Sequence, residues 1–149
     1  MRNVRIDNEA GAQETLFNWA QYQYARYPEL ELLYHIPNGG KRDARTAANL
    51  KRQGVKAGVP DLHLPVARGG YNGLYIELKV GSNKPTQLQK KWLSSLNEQG
   101  YLAVVRYGWQ EAAEQVINYL ELETITFIVC LSFSPLVLAL FIYLGYALP

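Results

Sequence analysis

Thiols and imidazoles, the groups that build most zinc and redox centres, are scarce in this chain: it has one cysteine, Cys130, and two histidines, His35 and His63. A lone cysteine excludes an intrachain disulfide and a zinc site built on cysteines. Two histidines argue against a zinc hydrolase held by several imidazoles. An apolar leader is also lacking, since Met1 to Gly11 is polar and charged, and no signal peptide is expected. Acids are nearly absent from one stretch. Between Lys41 and Lys56 stand six basic residues, Lys41, Arg42, Arg45, Lys51, Arg52 and Lys56, against the single acid Asp43. From Thr124 to Pro149 there is no charge of either sign.

What is present suits one folded domain: 149 residues, 48% hydrophobic, with a formal charge of +2. Residues 9 to 27 place Leu16, Trp19, Ala20 and Gln23 at helical spacing, and Pro28 stops that helix. Residues 31 to 36 are a short strand candidate, closed by the turn signal Pro37-Asn38-Gly39-Gly40. A basic helix over 42 to 53 follows, with Gly54 at its end. After a hairpin, Thr86 caps a helix to about Gln99, with Leu88, Trp92, Leu93 and Leu96 as its apolar stripe. A buried strand over 101 to 107 and a helix over 109 to 120 complete the order. The expected architecture is α/β, a small mixed central sheet flanked by helices.

The hairpin carries the chemistry. Tyr75-Ile76-Glu77-Leu78-Lys79-Val80 alternates as a strand, so Glu77 and Lys79 share a face. Asp61 opens a second apolar run, Leu62 to Val66, joined to the first by the turn-forming stretch 67 to 73, and pairing the two runs brings Asp61 to Glu77. A Glu-x-Lys alone on a strand is an ordinary solvated charge pattern. Here the strand is otherwise mostly apolar and a Pro-Asp stands at hairpin distance, which favours a site. Two carboxylates, a backbone carbonyl and water suit a hard divalent cation such as Mg2+. Beside them an ammonium can orient a water or neutralise phosphate charge. The basic stretch leading into the acids offsets their repulsion of a phosphate substrate, and glycine-loop amides near Asn38 and Gly39 can approach phosphate closely. His63 is read as a partly buried strand histidine. Tyr22, Tyr24, Tyr27 and Trp19 on the first helix are read as core or subunit-interface residues rather than base-stacking ones.

Pro60-Asp61 followed by Glu77-x-Lys79 resembles the PD-(D/E)xK nuclease superfamily. Four blocks resemble one branch of it, the VRR-NUC domain: 35 to 42, 50 to 62, 73 to 79, and Gln89-x-x-Trp92 with Gly100-Tyr101. The resemblance runs from about Glu9 to Leu120 and implies a restriction-endonuclease-like core. It implies Asp61, Glu77 and Lys79 as catalytic residues with Gln89 near them, and a metal held by Asp61, Glu77, the Leu78 backbone carbonyl and an N-terminal acid, Glu9 in preference to Glu14. Mg2+ or Mn2+ is the implied ion. The implied substrate is DNA, bound by Asn38, Gly39, Lys41, Arg42, Arg45, Lys51, Arg52 and Lys56. Stand-alone members imply a homodimer cutting branched DNA such as a Holliday junction.

The domain is expected to span 1 to 122, with 123 to 149 as a separate apolar tail. Its 125 to 148 segment is long enough to cross a bilayer core as a helix, kinked at Pro135, so a membrane anchor at the cytoplasmic face is one expectation and a dimerisation segment another. Competing functions are a catalytically weak nucleic-acid-binding module, or a membrane-anchored interaction protein built on a nuclease fold.

Overall fold

The computed structural model describes residues 8 to 37 and 43 to 123. The order is α1 (Glu9–Gln23), a 3-10 turn (Pro28–Leu32), β1 (Tyr34–His35), α2 (Ala44–Arg52), β2 (Leu62–Leu64), β3 (Leu74–Lys79), α3 (Gln87–Glu98), β4 (Leu102–Tyr107) and α4 (Gly108–Leu120). One mixed sheet of four strands runs β1-β2-β3-β4. Its first two pairings are antiparallel, Tyr34 facing His63 and Leu62 facing Ile76. The β3 and β4 strands lie parallel, as a crossover through a helix requires.

Strand alternation divides the sheet into two unlike faces. Leu62, Leu64, Leu74, Ile76 and Leu78 point into the core, where α1 contributes Ala12, Leu16 and Ala20, and α4 contributes Ala112, Val116 and Tyr119. Tyr119 is fully buried, and its hydroxyl donates to the Val66 carbonyl at 2.6 Å, so the polar end of this large side chain is satisfied. The opposite face carries Asp61, His63, Tyr75, Glu77 and Lys79, with α3 packed over its β4 side. Hydrophobic burial on one face therefore fixes the register that gathers charge on the other.

Several sequence expectations change in detail. The first helix ends at Gln23, before Tyr27, which precedes a proline and takes a non-helical conformation, φ −130° and ψ 80°. The strand expected over 31 to 36 shrinks to Tyr34–His35, since Pro28 starts a 3-10 turn that inserts Leu30 into the core. On α3 the inward residues are Gln89, Trp92, Leu93 and Leu96, whereas Leu88 is 56% exposed. The β4 strand is half-buried rather than buried, because it is a sheet edge. Basic helix α2 forms as expected. Asp43 caps it by accepting from the Thr46 amide at 2.9 Å, and that bond holds its carboxyl below the usual range. No described side chain of α2 is buried.

The apolar segment 125 to 148 lies outside the described residues. Among the described residues no helix is long and apolar enough to cross a membrane.

Candidate active site

Glu77 sits mid-strand on β3 with no exposed surface, an expensive place for a carboxylate unless it is paired. Its Oε1 accepts from Lys79 Nζ at 2.6 Å and from the Gln89 side-chain amide. Its Oε2 is buried, with the Asp61 carboxyl facing it and no other group donating to it. Burial pushes the Glu77 carboxyl up to about 7; the hydrogen bond from Lys79 pulls against this, while the charge of Asp61 and a hydrogen bond shared with it add to it.

Asp61 stands at the mouth of β2, where the register places it across from Glu77. Its backbone is pinned to β1: the Asp61 carbonyl accepts from the Ile36 amide at 2.7 Å and lies 3.0 Å from His35 Nδ1. Its Oδ2 accepts from the Leu78 amide at 2.9 Å. Burial raises the Asp61 carboxyl above its ordinary value, against the lowering effect of that amide and of Lys79.

Lys79, 5% exposed, is the internal cation. Besides Glu77, its Nζ reaches Glu9 Oε1 at 3.2 Å and the Leu78 carbonyl at 3.2 Å. Burial alone would depress its pKa, yet the hydrogen bonds and charges of Glu77 and then Glu9 raise it. The ammonium is therefore firmly protonated. Glu9 arrives on the first turn of α1, which Asn8 caps by accepting from the Gly11 amide. It is thus Glu9, and not the exposed Glu14, that meets the lysine.

Gln89 has two duties. Its Oε1 accepts from the Thr86 amide at 2.7 Å in a capping box, while its Nε2 donates to Glu77. The Thr-x-x-Gln spacing was visible in the sequence, but not that the box would aim the amide into the site. Asn83, which the sequence gave no reason to single out, lies 3.5 Å from Glu9.

Approach of α3 depends on Gly58. With φ +83°, a Cβ there would come within 2.8 Å of Leu88 Cβ, so a side chain would push the Pro60-Asp61 segment off the helix.

Of the expected nucleic-acid contacts, Arg45, Lys51, Arg52 and Lys56 are exposed on α2 and the turn after it. Asn38, Gly39, Lys41 and Arg42 lie outside the described residues. His63 is a buried strand histidine as expected, its imidazole held neutral by burial.

The donor set suits a divalent cation that keeps most of its waters. Among the described residues no group of three His, Cys, Asp or Glu side chains forms a ready cage, because Lys79 stands between Glu9 and Glu77. Two carboxylates suffice for Mg2+, which keeps several waters and uses one or two acids. The buried Oε2 of Glu77, across from Asp61, is the kind of oxygen such an ion would satisfy.

The VRR-NUC domain model matches residues 7–110. This chain belongs to the VRR-NUC domain family. A solved structure described as a VRR_NUC domain protein is 36% identical, covering 77% of this chain and 89% of its own, with a TM-score of 0.67. Among curated proteins none matches. As a VRR-NUC domain the chain is a nuclease domain, with nucleic acid as its substrate.

Proposed function

We propose that this VRR-NUC chain is a Mg2+- or Mn2+-dependent DNA endonuclease that acts as a homodimer on branched DNA. The observation that carries the reading is the fully buried Glu77, with one oxygen fixed by Lys79 and Gln89 and the other facing the Asp61 carboxyl with no other group donating to it. A structural carboxylate would have both oxygens satisfied.

Asp61 and Glu77 would hold the cation, with Glu9 and the Leu78 carbonyl as further oxygen donors at its edge. When bound, such an ion lowers the pKa of a water and stabilises charge on phosphate oxygens. Gln89 keeps the Glu77 carboxylate oriented. Lys79 supplies positive charge at the reacting phosphate and can align the attacking water. Exposed basic groups on α2 draw the DNA backbone toward acids that would otherwise repel it. A two-fold pair of such sites suits symmetric cuts across a four-way junction.

The test is cleavage by the full chain of a panel of linear, flapped, splayed and four-way DNAs, with Mg2+, Mn2+ or chelator. The expected result is metal-dependent cutting concentrated at branch points and lost in Glu77→Gln. Absence of cutting on every substrate with either metal would overturn the reading.

A further inference from the structure

On the same sheet face as the carboxylates, one residue pair further along β2 and β3, lies an aromatic group that the site described above does not use. His63 stacks on Tyr75 with ring centroids 4.0 Å apart and planes 5° from parallel, and Tyr101 meets Tyr75 edge-on at 5.3 Å. Tyr34, across from His63 on the edge strand β1, completes the group. Its hydroxyl lies 2.8 Å from His63 Nδ1, and its ring meets the imidazole edge-on.

Two features of Tyr34 are at odds with a purely structural role. It is 47% exposed although it belongs to an ordered aromatic cluster, and its single polar atom is spent on a buried imidazole instead of water. An exposed ring held in one orientation is a preorganised surface, because the rotamer entropy of binding has already been lost. Its position is specific. Asp61 and His63 are two residues apart on one strand and Glu77 and Tyr75 two apart on the next, so the cluster lies about 7 Å from the acids along the strands. That distance is on the scale of one nucleotide in an unstacked strand.

We infer that Tyr34 is a stacking post for an unpaired base adjacent to the scissile phosphate, with His63 as the residue that positions it. The inference rests on the nuclease reading above and names its substrate class: DNA whose base beside the cut is free of its partner, as at a flap, a splayed arm or a junction centre. A base still paired and stacked within a duplex cannot offer its face to a side chain, whereas every unpaired base can.

The experiment uses the full chain in chelator, which separates binding from cutting, and splayed-arm DNA carrying 2-aminopurine at the branch-point base. With the unaltered chain, binding should quench the probe by stacking. Tyr34→Ala should abolish the quench and weaken binding to the splayed DNA by about 5- to 150-fold, leaving affinity for plain duplex unchanged. In Mg2+ the same variant should raise KM with little change in kcat. Tyr34→Phe, which keeps the ring and frees it from His63, should retain the quench but bind several-fold more weakly, an outcome that a space-filling role would not give. Light scattering of each variant excludes a change of assembly. If Tyr34→Ala matches the unaltered chain in quench and affinity while that chain binds and cuts branched DNA, this inference alone falls. The same holds if the variant loses duplex affinity equally, or changes oligomeric state instead of DNA affinity. If the unaltered chain neither binds nor cuts any DNA, the nuclease reading falls and the stacking post with it.

Discussion

Lys79 Nζ stands 2.6 Å from Glu77 Oε1 and 3.2 Å from Glu9 Oε1, so one buried ammonium links an acid from the centre of the sheet to an acid from the first turn of α1. The two acids are 68 positions apart in the chain, and the lysine is the cation between them. It offsets part of the cost of burying Glu77 and leaves Oε2 and Asp61 to share whatever positive charge comes next.

Removing either partner should therefore be felt in catalysis before anything else. Glu77→Gln keeps the shape of the side chain and loses the charge; it should cut DNA at least 100-fold more slowly with Mg2+. Lys79→Met should give a loss of similar order, as seen for removal of a charge that stabilises a transition state. Single-turnover cleavage of a four-way junction measures both.

Glu77 also sets a pH dependence. Its carboxyl is pushed up to about 7 in the folded state, above its ordinary value of 4.5, and Asp61 is raised in the same direction. Between about pH 4.5 and 7 the folded protein holds a proton that the unfolded chain has released. Stability of the metal-free protein should therefore fall as pH rises through that window. Thermal melts in chelator from pH 5 to 8 should show this decline, and Glu77→Gln should flatten it. Millimolar Mn2+, which binds the ionised acids, should raise Tm most at the alkaline end.

Gln89 and Thr86 can be separated because they share a cap but not a site. Thr86→Ala should cost about 1 kcal/mol of stability and leave kcat near its original value. Gln89→Ala loses a comparable amount from the cap and, in addition, the amide that orients Glu77. Its kcat should drop further, on the order of 10-fold. Denaturant melts alongside cleavage rates distinguish the two.

Gly58→Ala should destabilise the fold by about 1 to 3 kcal/mol, since it combines a left-handed backbone with a Cβ 2.8 Å from Leu88. The displaced segment carries Asp61, so cleavage should fall more than stability predicts. Urea unfolding and cleavage rate, measured on the same sample, check the pair of effects.

The exposed cations of α2 and its following turn should act through charge alone. Replacing Arg45, Lys51, Arg52 or Lys56 singly by Gln should leave Tm unchanged, since none is buried. Each replacement should reduce the slope of log affinity against log salt by about 1 where the residue meets a phosphate. DNA titrations at several salt concentrations read this directly.

Much of this is legible in the sequence. The Pro60-Asp61 and Glu77-x-Lys79 spacing, with a turn-rich stretch between two apolar runs, implied an antiparallel pair with both acids on one face, and β2 and β3 form that pair. Alternation is a property of the local backbone, so sequence suffices to read it. The capping residues Thr86 and the helix-ending Gly54 were visible for the same reason, since caps are made within a few residues.

Other features were not local. Residues 31 to 36 look like a strand, but Pro28 and the pull of Leu30 into the core turned part of them into a 3-10 segment. Leu88 reads as part of an apolar helical face, yet it is more than half exposed, meeting the Gly58 backbone instead of the core. Nor could spacing show that Tyr34 would be tied to His63.

The sequence by itself determined the family, the strand pair that bears Asp61, Glu77 and Lys79, and the basic helix that precedes it in the chain, because each depends on short-range periodicity or on a motif read in order. Tertiary structure decided which N-terminal acid meets the lysine, that the Gln89 cap also fastens Glu77, and that one buried oxygen of Glu77 is left facing Asp61. Those relationships join residues from separate elements, and only the packing of α1 and α3 around the sheet sets the distances between them.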